Sequence, residues 1–125
     1  MRAQPDISMP ASKMITVSFG EYFTAGGTSF ATPISAGIFA DIGQYLYESG
    51  MSKTKDMGWL QPALYELGYG NTYGLPAYHM VEYSQPYPGE VTSNFLGTGW
   101  NDFAGIGSLS SYNLSIDLGN YYEDY

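Results

Sequence analysis

The chain contains no cysteine among its 125 residues, which excludes a disulfide framework and any thiolate metal site and leaves the redox compartment open. Basic residues are nearly as scarce. Four Lys and Arg stand against twelve Asp and Glu, giving a formal net charge of -8 and a pI near 4.1. With no basic stripe to meet phosphates, no nucleic acid partner is expected. No apolar run approaches the ~18 residues of a spanning helix, and the opening MRAQPDISMP lacks the apolar stretch of a signal peptide, so no membrane partner is expected either. Histidine occurs once, at His79. Charged residues make up only 13% of the chain, so the surface must be built largely from Tyr, Ser, Thr, Asn and Gly. These groups keep their hydrogen-bonding character when carboxylates are protonated, which suits an acidic milieu.

What is present argues for a folded chain. Hydrophobic residues reach 44% and aromatics 17%, with 13 Tyr, far from the composition of disorder, and the length fits one domain with its own core. Residues 1–12 are polar and punctuated by Pro5 and Pro10, and read as loop with a short extended piece around 6–8. The stretch KMITVSFGEYFTA is rich in β-branched and aromatic residues around Gly20; it predicts a hairpin with strands 14–18 and 21–25. From Pro33 a helix is expected to run to about Glu48, with Gly50 as its stop. It is apolar on most faces and dotted with Ala36, Gly37, Ala40 and Gly43, which predicts a central helix closely approached by neighbours. A second, short helix should begin at Pro62. Residues 68–101 are mostly Gly, Tyr, Pro, Ser and Thr, a long loop of the kind that is often functional, and the terminal NYYEDY is expected to fray.

Chemistry concentrates in AGGTSFATPISAG, residues 25–37. A nucleophilic serine needs an exposed place on a sharp element boundary, backbone N–H groups facing the developing oxyanion, and a base within reach. Gly26 and Gly27 allow a substrate backbone to approach, and Ser29 at a helix entry stands beside unsatisfied N–H groups and the positive end of the helix dipole. The competing reading is that Thr28 or Ser29 is simply the helix N-cap. Local bases are poor. His79 follows the serine by 50 positions in sequence and reads as an ordinary loop histidine, while Asp6, Glu21 and Asp41 read as structural or solvated carboxylates. Asn113-Leu114-Ser115 fits a glycosylation sequon by chance spacing, and Lys53 and Lys55 belong to a solvated connector.

The string GTSFATPISAG resembles the serine motif of the subtilase clan, and PDIS, residues 5–8, resembles the Pro-Asp-(Val/Ile)-Ser element of the same enzymes. The hairpin before the serine, GWLQPALYEL and GTGWNDFAGIGSL are similar to segments of one branch, the sedolisins or serine-carboxyl peptidases. The resemblance implies that residues 1–125 form the C-terminal half of a sedolisin-like peptidase domain whose upstream half is absent. The fold implied is α/β: the C-terminal portion of a subtilisin-like fold, a mostly parallel sheet with flanking helices, a β-hairpin leading to the serine, and long Gly/Tyr-rich loops.

Carried over by position, Ser29 falls on the nucleophile, with Gly27, Thr28 and Ser29 offering backbone to the oxyanion or substrate. The Glu and Asp that form the base pair and the Asp of the oxyanion hole match nothing in this chain. The family's calcium site maps onto Val81, Gly97, Gly99 and Asn101, with Met80 and Asn101 where it has aspartates, so calcium binding is expected to be weak or lost. The implied function is that of an acid-active serine endopeptidase segment that acts on peptide or protein substrate when completed. The alternatives are a non-catalytic remnant or interaction module, or half of a two-chain assembly. Either way self-association or a partner supplying the missing half is expected, and full-length relatives are expected to be secreted or in an acidic compartment.

Overall fold

Pairing in the computed structural model, which describes residues 5–69, 76–81, 83–84, 94–95 and 99–124, is local and antiparallel. Strands β1 (Met14–Ser18) and β2 (Glu21–Ala25) form the expected hairpin, in register from Met14 opposite Ala25 to Ser18 opposite Glu21. Its turn holds Phe19 and Gly20 at φ 51° and 81°. Both central residues at positive φ match the right-handed twist of the strands, but Phe19 is a bulky residue in a region that aromatics seldom occupy. Helix α1 follows at Thr28–Glu48 and α2 at Gln61–Gly68. The remaining strands are two residues each: β3 (Tyr78–His79) pairs with β6 (Ser108–Leu109), and β4 (Tyr83–Ser84) with β5 (Asn94–Phe95). Helix α3, Ser111–Asp124, ends the described chain.

The expectation of a mostly parallel sheet is therefore overturned. The described residues form three separate two-stranded antiparallel sheets, and the parallel pairing among them is a single bridge between Ser8 and Ser108. The reason is connectivity. Parallel neighbours need a crossover between strands, yet β1 and β2 are joined by a tight turn and α1 leads into another helix, so α1 has no strand pair to cross over.

Two helix boundaries also differ from expectation. α1 begins at Thr28, with Pro33 inside it. Pro33 has no N–H for the Ser29 carbonyl, so the lost bond falls near the helix entrance. Two hydroxyls lie back on that stretch, Thr32 donating to the Thr28 carbonyl at 2.9 Å and Ser35 to the Ala31 carbonyl at 2.9 Å. The C-terminal tail is helical to Asp124: Leu114, Leu118, Tyr121 and Tyr122 fall on one helical face, and the Tyr122 hydroxyl donates to the Met57 carbonyl at 3.0 Å.

The core gathers Ile42 and Leu46 of α1, Ala63, Leu64 and Leu67 of α2, Tyr78 of β3, Ile106, Leu109 of β6, and Leu114 and Leu118 of α3. α1 is buried at Ile42, Gly43 and Leu46, all in its C-terminal half, so it is not the centrally enclosed helix its sequence suggests. Tyr78 donates to the Leu64 carbonyl at 3.0 Å; burial, reinforced by the buried Asp117, pushes its ionisation far above the ordinary tyrosine range. Leu118 is fully enclosed, at 0% exposure, whereas Ile15 on the hairpin is 75% exposed. Leu118→Ala is expected to cost about 2–5 kcal/mol of unfolding free energy and Ile15→Ala no more than about 0.5 kcal/mol, as read by urea denaturation.

Candidate functional site

Ser29 occupies the second helical position of α1, directly behind the hairpin, and is exposed. The helix is capped by Gly27 at φ 123° with no side-chain hydrogen bond, a backbone state that side-chain-bearing residues rarely adopt. The Gly27 amide donates to the Ala11 carbonyl at 2.6 Å and the Phe30 amide to the Gly27 carbonyl at 3.0 Å. The intervening Thr28 and Ser29 amides lie outside the helical ladder, at the positive end of the 21-residue α1. Gly27, Thr28 and Ser29 thus come together as an uncapped, solvent-facing helix entrance. It is not a Ser or Thr N-cap, since the cap residue is Gly27.

The entrance has hydroxyl and dipole, but among the described residues no base bonded to the serine. Among the described residues no side chain hydrogen-bonds the Ser29 hydroxyl. Asp6 is engaged elsewhere: its Oδ1 accepts from the Tyr65 hydroxyl at 2.5 Å. Glu21 sits at the hairpin turn, paired across from Ser18. Asp41 is on α1 itself, about 18 Å along the axis from Ser29 at ~1.5 Å per residue. His79 is exposed on β3, opposite Ser108.

PDIS packs rather than reacts. The Trp100 indole N–H donates to the Pro5 carbonyl at 3.0 Å, the Ile106 amide to the Asp6 carbonyl at 2.9 Å, and the Ser8 amide to the Gly107 carbonyl at 3.0 Å. This segment is tied to the 100–108 stretch, a long-range link that spacing alone did not reveal.

The residues matched to a calcium site divide. Gly97 lies outside the described residues; Gly99 has φ 89°; Val81 and Asn101 are brought together. Asn101 is 8% exposed. Its Nδ2 donates to the Val81 carbonyl at 3.0 Å, while its Oδ1 accepts from the Phe103 amide at 3.0 Å and the Ala104 amide at 2.9 Å. These two residues as placed do not fit a calcium ion, which needs oxygens turned toward it: an N–H donor meets the Val81 oxygen, and the Asn101 oxygen is turned to two amides. Among the described residues no group of three or more His, Asp and Glu could hold a metal, and no helix is long and apolar enough to cross a membrane.

A serine hydroxyl without a base is a weak nucleophile. The 125-residue chain alone is expected to give no measurable peptide cleavage between about pH 3 and pH 8. A fluorogenic peptide-library assay in which cleavage appears and is abolished by Ser29→Ala would overturn this.

Comparisons with protein-family models, curated proteins and solved structures find no match to this chain, so any functional reading rests on Ser29, its helix and the surfaces around them.

Proposed function

We propose that this chain is the serine-bearing segment of a sedolisin-like, acid-active endopeptidase. In this reading its general base, the partner of that base and the side-chain oxyanion donor come from a segment or chain beyond these residues. One observation carries the reading: Ser29 stands exposed at the uncapped entrance of a long helix, with unladdered Thr28 and Ser29 amides beside it. In the completed site the Ser29 hydroxyl adds to the scissile carbonyl and its proton passes to an incoming carboxylate. The amine then leaves as it takes up that proton, and water releases the acyl group. A carboxylate base accepts the proton at acidic pH, where an imidazole would already be protonated. The test uses the natural form, purified through a tag placed on the chromosomal copy. Peptide cleavage near pH 4 that Ser29→Ala removes supports the proposal; a natural form without such cleavage overturns it.

A second reading, an interaction module without catalysis, is favoured by the hairpin. Ile15, Val17 and Tyr22 are 75%, 60% and 80% exposed. Cross-strand pairing puts Val17 and Tyr22 on one face with Ile15 two residues away, and Phe19 is fully exposed at the tip. Among the described residues the hairpin makes no extensive contact with other elements. An apolar face of this kind marks an association surface, which both readings require. The chain is therefore expected to self-associate or to bind an apolar dye. Ile15→Ser with Val17→Ser is expected to reduce both, as read by light scattering and dye fluorescence, with melting of the core unchanged.

A further inference from the structure

We infer that Asn101 holds Val81 beside the 101–105 turn, a neck closed without a cation, through the hydrogen bonds of its neutral side-chain amide. The inference stands on geometry alone and holds whether or not Ser29 is a nucleophile.

Val81 lies two residues beyond β3, and Asn101 is brought beside it from 20 positions further along the chain. The returning backbone is held first by Asn101 and Gly105, whose amides and carbonyls exchange bonds at 3.1 and 2.9 Å. The side chain then works in two directions. Oδ1 gathers the Phe103 and Ala104 amides into a tight turn, and Nδ2 reaches across the neck to the Val81 carbonyl. This network admits one orientation of the amide. A flipped side chain would set its NH2 against two N–H donors and its oxygen against the Val81 oxygen.

The same network excludes a carboxylate in this role. An ionised Asp could still accept from the Phe103 and Ala104 amides, but it would face the Val81 oxygen with oxygen and no proton between them. A cation would relieve that opposition; the Asn101 amide removes it with a hydrogen bond. Calcium sites built on carboxylates lose their ion as protons compete for the ligands, whereas a carboxamide does not titrate over the working range of proteins. The neck therefore stays closed in acid and in the presence of chelators.

The test compares thermal melting of the full chain with a chelator and with about 5 mM calcium chloride, a concentration that fills even weak sites. The wild-type midpoint is expected to stay within about 1 °C. Asn101→Asp keeps the turn acceptor and loses the donor to Val81, and in chelator is expected to melt about 5 °C or more below wild type. NMR of the wild-type chain gives a readout independent of any variant: the Asn101 side-chain amide should exchange slowly, and the backbone signals of Val81 and Asn101 should not move on calcium addition. A wild-type midpoint raised by calcium by about 5 °C or more, saturable calcium shifts at Val81 and Asn101, or an Asn101→Asp variant that melts in chelator like wild type would each overturn the inference.

Discussion

Sealing one half of α1 is the constraint on which the other contacts depend. α3 lies along the C-terminal half of that helix, where Leu46, Leu114 and Leu118 are fully enclosed. The approach is close enough that a Cβ on Gly119 would stand 3.4 Å from Leu46 and collide with the Met51 sulfur. α2 closes the same cluster through Leu64 and Leu67, and β3 through Tyr78. Nothing comparable remains among the described residues for the first half of α1 or for the hairpin, and these are the parts that carry Ser29 and the exposed Ile15, Val17 and Tyr22.

A second layer of order is polar and runs through the 5–8 segment. Trp100, Ile106 and Gly107 hold its backbone, Tyr65 holds the Asp6 side chain, and the Ser8 to Ser108 bridge continues into the β3–β6 pair. An N-terminal segment with no helix or long strand of its own is thus built into the same body as α2 and the 100–109 stretch. The Asn101 turn belongs to this body, because Gly105, its backbone partner, directly precedes the Ile106 amide that binds the Asp6 carbonyl.

Local periodicity made much of this legible. The hairpin strands fall on the residues expected, because alternation and a turn glycine are encoded within about a dozen positions. The end of α1 at Glu48 and a short helix around Pro62 follow from stop and start residues close in sequence. Single residues mislead where the surrounding pattern outweighs them. Pro33 signals a helix start, but a proline near the entrance forfeits only one hydrogen bond and the helix already begins at Thr28. The terminal position of NYYEDY predicts fraying, but Tyr121 and Tyr122 extend the Leu114–Leu118 face and pack against the core. The parallel sheet that the resemblance implies has no support in the local strand pattern. At the site, the exposure of Ser29 was legible from the glycine pair and the helix; the tie of 5–8 to 100–108 was not, because it joins backbone groups about a hundred positions apart and backbone groups leave no mark in side-chain pattern.

The placement of Ser29 at the unsealed end of α1 has a physical logic. A helix entrance buried against the core would need its first amides satisfied by caps, and a capped, buried serine can neither receive a substrate nor present N–H groups to an oxyanion. By placing the core at Leu46 and leaving Gly27 as a cap without a side chain, the chain keeps those amides available to solvent or to a carbonyl. Among the described residues no carboxylate is hydrogen-bonded to Ser29: Asp6 is drawn into the polar layer by Tyr65, and Asp41 lies three turns along the helix, beyond hydrogen-bond reach of Ser29. The half of α1 that carries Ser29 and the exposed hairpin thus both lie outside the sealed cluster.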